Sequence, residues 1–217
     1  MLKIENAEVF GWEAAIRGMR NPMNSWDKSD SEWHWDIDAK HSIGENDLTL
    51  MKTLSKAGPD HGKFLRMINV TLDITAPLYW WKEFDTYKVG TVANSCSTMH
   101  KIHAKEFTLD DFSHEHLCGE SMMLLESIVH YLNVCRNSFI RTKEHHLPDN
   151  YSKQEWWQMI QLLPSSYNQK RTVQINYQVL KNMYFARRHH KLDEWHTLCD
   201  WMEELPYFKE VCIDAVH

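Results

Sequence analysis

Apolar and polar residues alternate along residues 68–75. The apolar positions are Ile68, Val70, Leu72 and Ile74. Because successive side chains of a strand point to opposite faces of the sheet, this period of two predicts a β-strand that is buried on one face only. The dipeptide Ala76-Pro77 ends the alternation, and proline suits the first turn of a helix because its missing N–H would have no partner there.

Two further segments follow this strand. The aromatic run at residues 79–84 also carries charged residues, and it predicts a short helix. Residues 90–98 are small and polar, and their hydroxyls and amides suit a loop that holds a ligand. An edge strand, a helix and a solvated loop without a ligand are the structural alternative.

The same patterns predict elements in the rest of the chain. Alternation predicts strands at residues 1–10 and 169–177, with Val173 and Ile175 inward, and a further strand at residues 97–107. Apolar residues three or four apart predict helices at residues 12–19, 47–56, 121–143, 152–163, 176–188 and 193–205. Thr108 opens a helix-start pattern. We therefore predict an α+β fold, a helix-rich single domain over residues 1–217 with a small, mostly antiparallel sheet.

A long polar segment at residues 21–46 contains Asp, Ser and His together with Trp26, Trp33 and Trp35. Connections longer than about 12–15 residues tend to be functional or disordered, and three tryptophans argue against disorder. We predict a loop that covers a site or contacts another subunit.

Composition limits the classes of function. The 217 residues carry a net charge of −6, which argues against a general nucleic-acid binder and means that an anionic ligand needs a local basic cluster. Five cysteines without a CxxC pair indicate reduced thiols in a cytoplasmic protein. The first residues lack the pattern of a secretion signal, and no apolar run of about 18 residues predicts a membrane span.

The order of strand, Ala-Pro, aromatic helix and polar segment resembles the signature region of the flavin-dependent thymidylate synthases. In that family the helix runs into Arg-His-Arg, a Ser, an Asn-Glu pair and Ser-Gly-Arg-Tyr. Placed without a gap, residues 86–88 fall on the basic triplet and Thr91 on the first Ser. With one inserted residue, Asn94 falls on the Asn and Ser97 on the second Ser. Lys88 is the one cation that remains in the triplet.

Two other segments resemble the same family in register. Near the C-terminus the matches are Leu163-Pro164, Asn176, Leu180, Asn182, Arg187 and Glu194-Trp195, and ahead of the strand there is Asp60-His61-Gly62. The chain departs from the family at four further positions. Ser95 replaces the Glu, and Met99 stands where the family has Arg. Gln178 stands where the family usually has Arg, and Ile160 stands near an expected phosphate-binding Arg.

The resemblance implies a divergent member of the family, a homotetramer that holds FAD at subunit junctions. Such an enzyme methylates dUMP, or a related pyrimidine nucleotide, with methylene-tetrahydrofolate and NADPH as co-substrates. It implies catalytic and substrate contacts for Arg187 and Ser97. It implies cofactor contacts for His61, Lys88, Thr91, Asn176 and Asn182. Further cations and stacking rings in these segments are Lys170, Arg171, Arg188, Tyr79, Trp80, Trp81 and Tyr87.

Structural roles compete with each of these assignments. Arg187 is placed to compensate the dipole at the end of a helix, and Asn176 is placed to cap the start of one. The missing arginines leave three explanations open: cations from elsewhere, a different ligand, or lost catalysis. The alternative function is therefore a non-catalytic homo-oligomer that binds nucleotide or flavin on the same scaffold.

Histidine and cysteine suggest a third, minor interpretation, a zinc site in a hydrolase. The residues concerned are His100, His103, His114, His116 and Cys118. Their spacing matches no compact zinc pattern, so we expect no metal.

Overall fold

The computed structural model describes residues 1–33, 42–145 and 148–216. Its four strands are β1 (Lys3–Phe10), β2 (Asn69–Pro77), β3 (Thr91–Ser95) and β4 (Asn168–Asn176), and they form a sheet in the order β1-β2-β4-β3.

The sheet is antiparallel. At one end of the β2–β4 pair the Tyr177 N–H donates to the Ile68 carbonyl at 3.0 Å, and at the other end the Leu78 N–H donates to the Tyr167 carbonyl at 3.0 Å. Residue numbers therefore rise along β2 as they fall along β4. The predicted helix-rich fold with a small antiparallel sheet is confirmed.

Burial along β2 alternates in the way that the sequence pattern predicts. Ile68, Val70, Leu72 and Ile74 are each at most 2% exposed, and the residues between them are half-buried. Because β1 and β4 pair with its two sides, β2 is an interior strand, and the edge-strand alternative is wrong.

Seven α-helices account for every predicted helix. They are α1 (Trp12–Arg20), α2 (Glu45–Lys56), α3 (Leu78–Phe84), α4 (Gly119–Glu144), α5 (Asp149–Leu162), α6 (Tyr177–Arg187) and α7 (Asp193–Glu203). The 3₁₀ turns Gly62–Arg66 and Leu109–Asp111 lie between them, the second with a capping box formed by Thr108 and Asp111. A C-terminal helical turn, Lys209–Ile213, was not predicted from sequence.

Two predictions for the middle of the chain are wrong. Much of the predicted polar loop at residues 90–98 is strand β3, which lies next to β4, and the Cys96 N–H just after it donates to the Lys170 carbonyl at 2.9 Å. The predicted strand at residues 97–107 is a series of turns. The Ser97 hydroxyl accepts the N–H groups of Met99 (3.2 Å) and His100 (2.9 Å), a local bonding pattern that competes with strand pairing.

The described part of the 21–46 segment is ordered by local contacts. It contains the 3₁₀ turns Asn21–Met23 and Trp26–Lys28, and a β-bridge pairs Glu32 with Ser42. Residues 34–41, including Trp35, lie outside the described residues, and the role as a covering loop or subunit contact stays a prediction.

The chain divides into two compact units. The first unit contains Met1–Lys3, Ile74–Thr86 and Asn94–Arg171, and the second contains the described residues of Ile4–Asp73, Tyr87–Ala93 and Thr172–His217. Strands β2 and β4 contribute residues to both units. The single-domain prediction therefore stays a prediction.

Each unit has its own apolar core. In the first unit, α4 and α5 enclose Leu132 and Met159, both fully buried. In the second unit the Tyr177 ring makes edge contacts with Trp12 (5.3 Å between centroids) and Phe208 (5.3 Å). Within the described residues, no helix is both long enough and apolar enough to span a bilayer.

Candidate functional site

Helix α6 begins at a side-chain cap in the second unit. The Asn176 carboxamide oxygen accepts the Val179 N–H at 3.1 Å, which satisfies one of the free donors of the first turn. The N-cap alternative for Asn176 is therefore confirmed, and its predicted contact with a cofactor stays a prediction.

The turn at residues 87–90 packs against this first turn of α6. Gly90 has a φ of +81°, and a Cβ built on it would lie 2.8 Å from Asn176 Nδ2 and 3.1 Å from Val179 Cγ2. Only glycine allows the two segments to approach so closely. The turn exposes Lys88 to solvent and leads directly into Thr91, the first residue of β3.

Thr91 carries an unsatisfied polar group. Its Oγ1 is buried and has no hydrogen-bond partner within the described residues. Leaving a buried hydroxyl unpaired costs about 1–3 kcal/mol, so such a group generally has a partner that the chain does not supply. Thr91 is one of the residues for which the resemblance implies a cofactor contact.

Arg187 lies at the C-terminal end of α6 against two aromatic rings. Its Nε donates to the Tyr87 hydroxyl at 3.0 Å, and its Cζ lies 4.8 Å from the Trp195 ring centroid and 5.6 Å from that of Tyr87. Cation–π contacts of this kind hold a guanidinium in one orientation. Arg187 also occupies the last turn of its helix, so the dipole role coexists with this arrangement.

The Gly62–Arg66 turn packs on α6 as well. A Cβ built on Gly62 would lie 3.8 Å from Gln178 Oε1, and Gln178 Nε2 donates to Asn182 Oδ1 at 3.1 Å. Asn182 is exposed on the helix. His61, also exposed, lines a cavity of about 670 Å³ whose walls are largely apolar, formed by Met19, Met23, Leu50, Leu54, Phe64 and Met67.

Helix α6 therefore brings together segments that are far apart in sequence. The residues on α6 or on the segments that pack against it are His61, Lys88, Thr91, Asn176, Asn182 and Arg187. The Tyr87 hydroxyl, which orients Arg187, was named from sequence only as a stacking ring. Its position in the basic triplet is the signal that pointed to it.

Ser97 lies in the first unit, where it lines a polar cavity of about 270 Å³. Lys105 and Lys170 also line this cavity, together with Asp110 and Asp111, and Lys105 is ion-paired with Asp111. Sequence reasoning named Lys170 as an available cation but missed Lys105, which belongs to no recognisable motif.

Tyr167 lines the same cavity as a neutral hydroxyl. Burial raises its pKa, and the nearby Asp111 and Cys96 raise it further. Its oxygen therefore keeps its proton at neutral pH and retains the capacity to donate a hydrogen bond.

Three residues proposed from sequence as ligand contacts have structural roles. Trp80 and Trp81 are 0% and 1% exposed in the first unit, and Trp81 Nε1 donates to the Gln169 carbonyl at 2.9 Å, so neither ring is available for stacking on a ligand. Arg171 pairs with Asp85 at 2.7 Å and lies over the Trp81 ring at 4.1 Å.

Apolar residues stand at one position, and near a second, for which the resemblance implies arginine. Met99 is exposed, and its carbonyl accepts the Trp156 indole N–H at 2.9 Å. Ile160 packs against the core of the first unit. Neither side chain contributes charge to an anion site.

Metal ligands do not cluster in the described part of the chain. Among these residues, no group of three or more His, Cys, Asp or Glu side chains is arranged to hold a metal ion.

Solved structures resemble this chain along its whole length. A crystal structure of thymidylate synthase X from Helicobacter pylori, with FAD and dUMP, matches with a TM-score of 0.67 and 15% identity, covering 99% of each chain. A second structure of the Helicobacter pylori flavin-dependent enzyme, complexed with FAD and dUMP, gives a TM-score of 0.63 and 16% identity, covering 99% of this chain and 100% of that one. No protein-family model matches the sequence, and no curated protein matches it. The chain therefore has the fold of the flavin-dependent thymidylate synthases, as its sequence segments predicted.

Proposed function

We propose that this chain is a divergent flavin-dependent thymidylate synthase that binds FAD and methylates dUMP or a related pyrimidine nucleotide. The observation that carries the proposal is the convergence on α6 of three segments far apart in sequence, at His61-Gly62, at residues 87–91 and at Arg187. These are the segments for which the resemblance implies ligand contacts.

The residue types in the second unit suit the chemical groups of a flavin nucleotide. A planar ring system needs an apolar surface, and the 670 Å³ cavity beside His61 offers one of suitable size. A diphosphate needs cations or donors, and Lys88 is an exposed cation in the turn that leads to the unpaired Thr91 hydroxyl. We assign cofactor contacts to His61, Lys88 and Thr91, and extend them to Asn176 and Asn182 on α6.

As the resemblance implies, we assign nucleotide contacts to Arg187 and to Ser97. A guanidinium whose Nε is fixed by Tyr87 is pre-oriented, which lowers the entropy cost of gripping a phosphate or a pyrimidine edge. Bound FAD would supply the redox chemistry that passes a one-carbon unit from methylene-tetrahydrofolate to the pyrimidine, with NADPH as reductant. We further propose that the protein is cytoplasmic, in keeping with its five free cysteines, and that it forms a homotetramer, as the resemblance implies.

A flavin titration of the pure protein tests the binding step. We expect saturable FAD binding, followed by bleaching of the flavin absorbance when NADPH is added anaerobically. Lys88→Met should weaken FAD binding by about 1 kcal/mol or more, since a charged hydrogen bond is lost. Lys82→Met removes another exposed lysine, on α3, and is the matched control. A protein that binds no FAD would refute the proposal.

A non-catalytic flavin- and nucleotide-binding protein is the second candidate. Met99 and Ile160 favour it, because losing two arginine–phosphate contacts costs about 1.5–3 kcal/mol each. Tritium release from labelled deoxyuridylate, with methylene-tetrahydrofolate and NADPH present, separates the two. Tritium release would support the catalytic proposal. FAD binding without tritium release would support the non-catalytic alternative.

A further inference from the structure

Helix α4 in the first unit has two apolar faces. One face is buried against the core through Leu125, Val129, Leu132 and Cys135. The other is exposed to solvent: the exposed fractions are 68% for Met123, 64% for Leu124, 48% for Tyr131 and 46% for Val134. Apolar side chains on the solvent face of a long helix indicate a surface that another molecule covers.

The exposed face follows a coiled-coil spacing. Seven positions, alternately four and three residues apart, form what we call the α4 seam: Glu120, Leu124, Ser127, Tyr131, Val134, Ser138 and Arg141. This is the a/d spacing of two helices that pack side by side, and it extends about 32 Å along the helix at 1.5 Å per residue.

We propose that the α4 seam is the docking surface for a second copy of this chain, with the two α4 helices antiparallel about a twofold axis at Tyr131. A twofold contact uses the same patch on both copies, so each position must suit the one that faces it. The inference locates one interface of the homotetramer proposed above, and it rests on the residues of α4 and not on flavin binding or catalysis.

The seam is self-complementary in size. In the antiparallel register, Leu124 faces Ser138 of the partner subunit, and Ser127 faces Val134 of the partner subunit, so each larger apolar residue meets a small one. Tyr131 faces its own copy on the axis, as an aromatic pair. The Ser127 hydroxyl donates to the Met123 carbonyl at 2.9 Å, so burying it would leave no hydroxyl proton unpaired.

The charges at the two ends of the seam select the antiparallel direction. In that direction Glu120 faces Arg141 of the partner subunit, and the twofold axis repeats the pair at the other end. Parallel helices would instead place Glu120 beside its own copy and Arg141 beside its own copy, which is repulsive at both ends. Within the described residues, neither side chain has an ion-pair partner of its own.

Analytical ultracentrifugation of the full chain at low salt tests the proposal. We expect the wild-type chain to associate. Glu120→Arg and Arg141→Glu should each raise the dissociation constant about tenfold or more, because two facing pairs become like-charged. The double variant Glu120→Arg/Arg141→Glu should return it to within about threefold of wild type, because the pairs are restored with their signs exchanged.

Glu126→Arg is the matched control, since it makes the same charge change at an exposed position of α4 outside the seam. It should leave the dissociation constant unchanged, whereas Leu124→Asp, also at an exposed position, should abolish this association. A monomeric wild-type chain would overturn the proposal. So would a double variant that stays as weak as the single ones, because the antiparallel register requires rescue.

Discussion

Arg187 shows how a single side chain gains a defined orientation from residues far away in sequence. Its Nε bonds to Tyr87, one hundred positions earlier, and its guanidinium lies against Trp195 on the following helix. A guanidinium that is already ordered loses little conformational entropy when it binds an anion. The residue is therefore suited to nucleotide binding by its surroundings as well as by its charge.

Arg187→Ala should weaken nucleotide binding by at least about 1.5 kcal/mol, because a charged hydrogen bond to the ligand is removed. Isothermal titration with dUMP measures the change. Arg188→Ala is the matched control, because Arg188 lies over Tyr184 and Phe185 instead, and it should leave binding unchanged. An Arg187→Ala protein with the wild-type dissociation constant would refute the assignment.

Asp47 is a second residue whose role depends on its environment. It is fully buried, pairs with Arg20 at 2.6 Å, and accepts the hydroxyls of Ser29 (2.7 Å) and Ser31 (2.6 Å). Burial acts to raise the pKa of Asp47, but the hydrogen bonds from Ser31, Ser29 and Arg20 outweigh it and hold the pKa below its ordinary 3.8. The carboxylate thereby anchors the 29–31 segment to α2.

Asp47→Asn should destabilise the protein by about 3–5 kcal/mol, because it leaves the buried Arg20 without a counter-charge. Urea unfolding at pH 7 measures the loss. Glu45→Gln, at an exposed position of the same helical turn, is the control and should change stability by less than about 0.5 kcal/mol.

The pH dependence of the unfolding free energy, compared between the wild type and Asp47→Asn, gives an independent check. Because the folded pKa of Asp47 is depressed, its contribution is complete above its unfolded value of 3.8 and is lost as the pH falls through the folded pKa. The unfolding free energy of the wild type should therefore drop more steeply below pH 3.8 than that of Asp47→Asn. Equal slopes would contradict this role for Asp47.

At the scale of elements, close packing of a turn on a helix creates the candidate site. The 87–90 turn can lie against the first turn of α6 because Gly90 combines a positive φ with the absence of a Cβ. That contact determines the positions of Lys88 and Thr91 relative to α6. Neither residue would occupy its position if the turn moved away from α6.

Gly90→Ala should destabilise the protein by about 2 kcal/mol or more, since the left-handed backbone costs about 1–2 kcal/mol and the new methyl also meets Asn176 and Val179. Thermal unfolding monitored by circular dichroism measures the effect. Gly58→Ala shares the positive φ but has nothing within 4 Å, so it should cost less. Gly119 is the first residue of α4 and also has nothing within 4 Å of the position that a methyl group would take, so Gly119→Ala should leave stability unchanged or raise it.

At the scale of the whole molecule, the fold match extends over 99% of the chain at only 15% identity. The fold contains an apolar core between α4 and α5 in the first unit and a sheet whose strands contribute residues to both units. The fold is therefore shared with the solved Helicobacter pylori structures although few residues are identical.

FAD at a hundred times its dissociation constant should stabilise the folded chain by about 2.7 kcal/mol, because it binds the native state and not the unfolded one. For a chain of this size that corresponds to a rise in Tm of about 5–10 °C. Differential scanning calorimetry checks it, with AMP at the same concentration as the control for the adenine half. An unchanged Tm with FAD would argue against a flavin site.

Local periodicity was sufficient for the helices and for strands β2 and β4, because their apolar residues recur at the spacing of the element itself. It failed for β3, whose residues are mostly exposed and show no apolar alternation. This segment forms a strand because β4 offers it hydrogen-bonding partners. Local periodicity also failed at residues 97–107, where a side-chain hydroxyl closes a turn.

The sequence by itself thus determined the order and type of most elements and the residues that resemble a flavin-binding family. The tertiary structure alone decided that Tyr87 orients Arg187, that Gly90 contacts Asn176 and that the Thr91 hydroxyl is left unpaired. The contact of Tyr87 with Arg187 and that of Gly90 with Asn176 join residues about one hundred and about ninety positions apart. No local pattern encodes them, because they arise only when separate elements pack around α6.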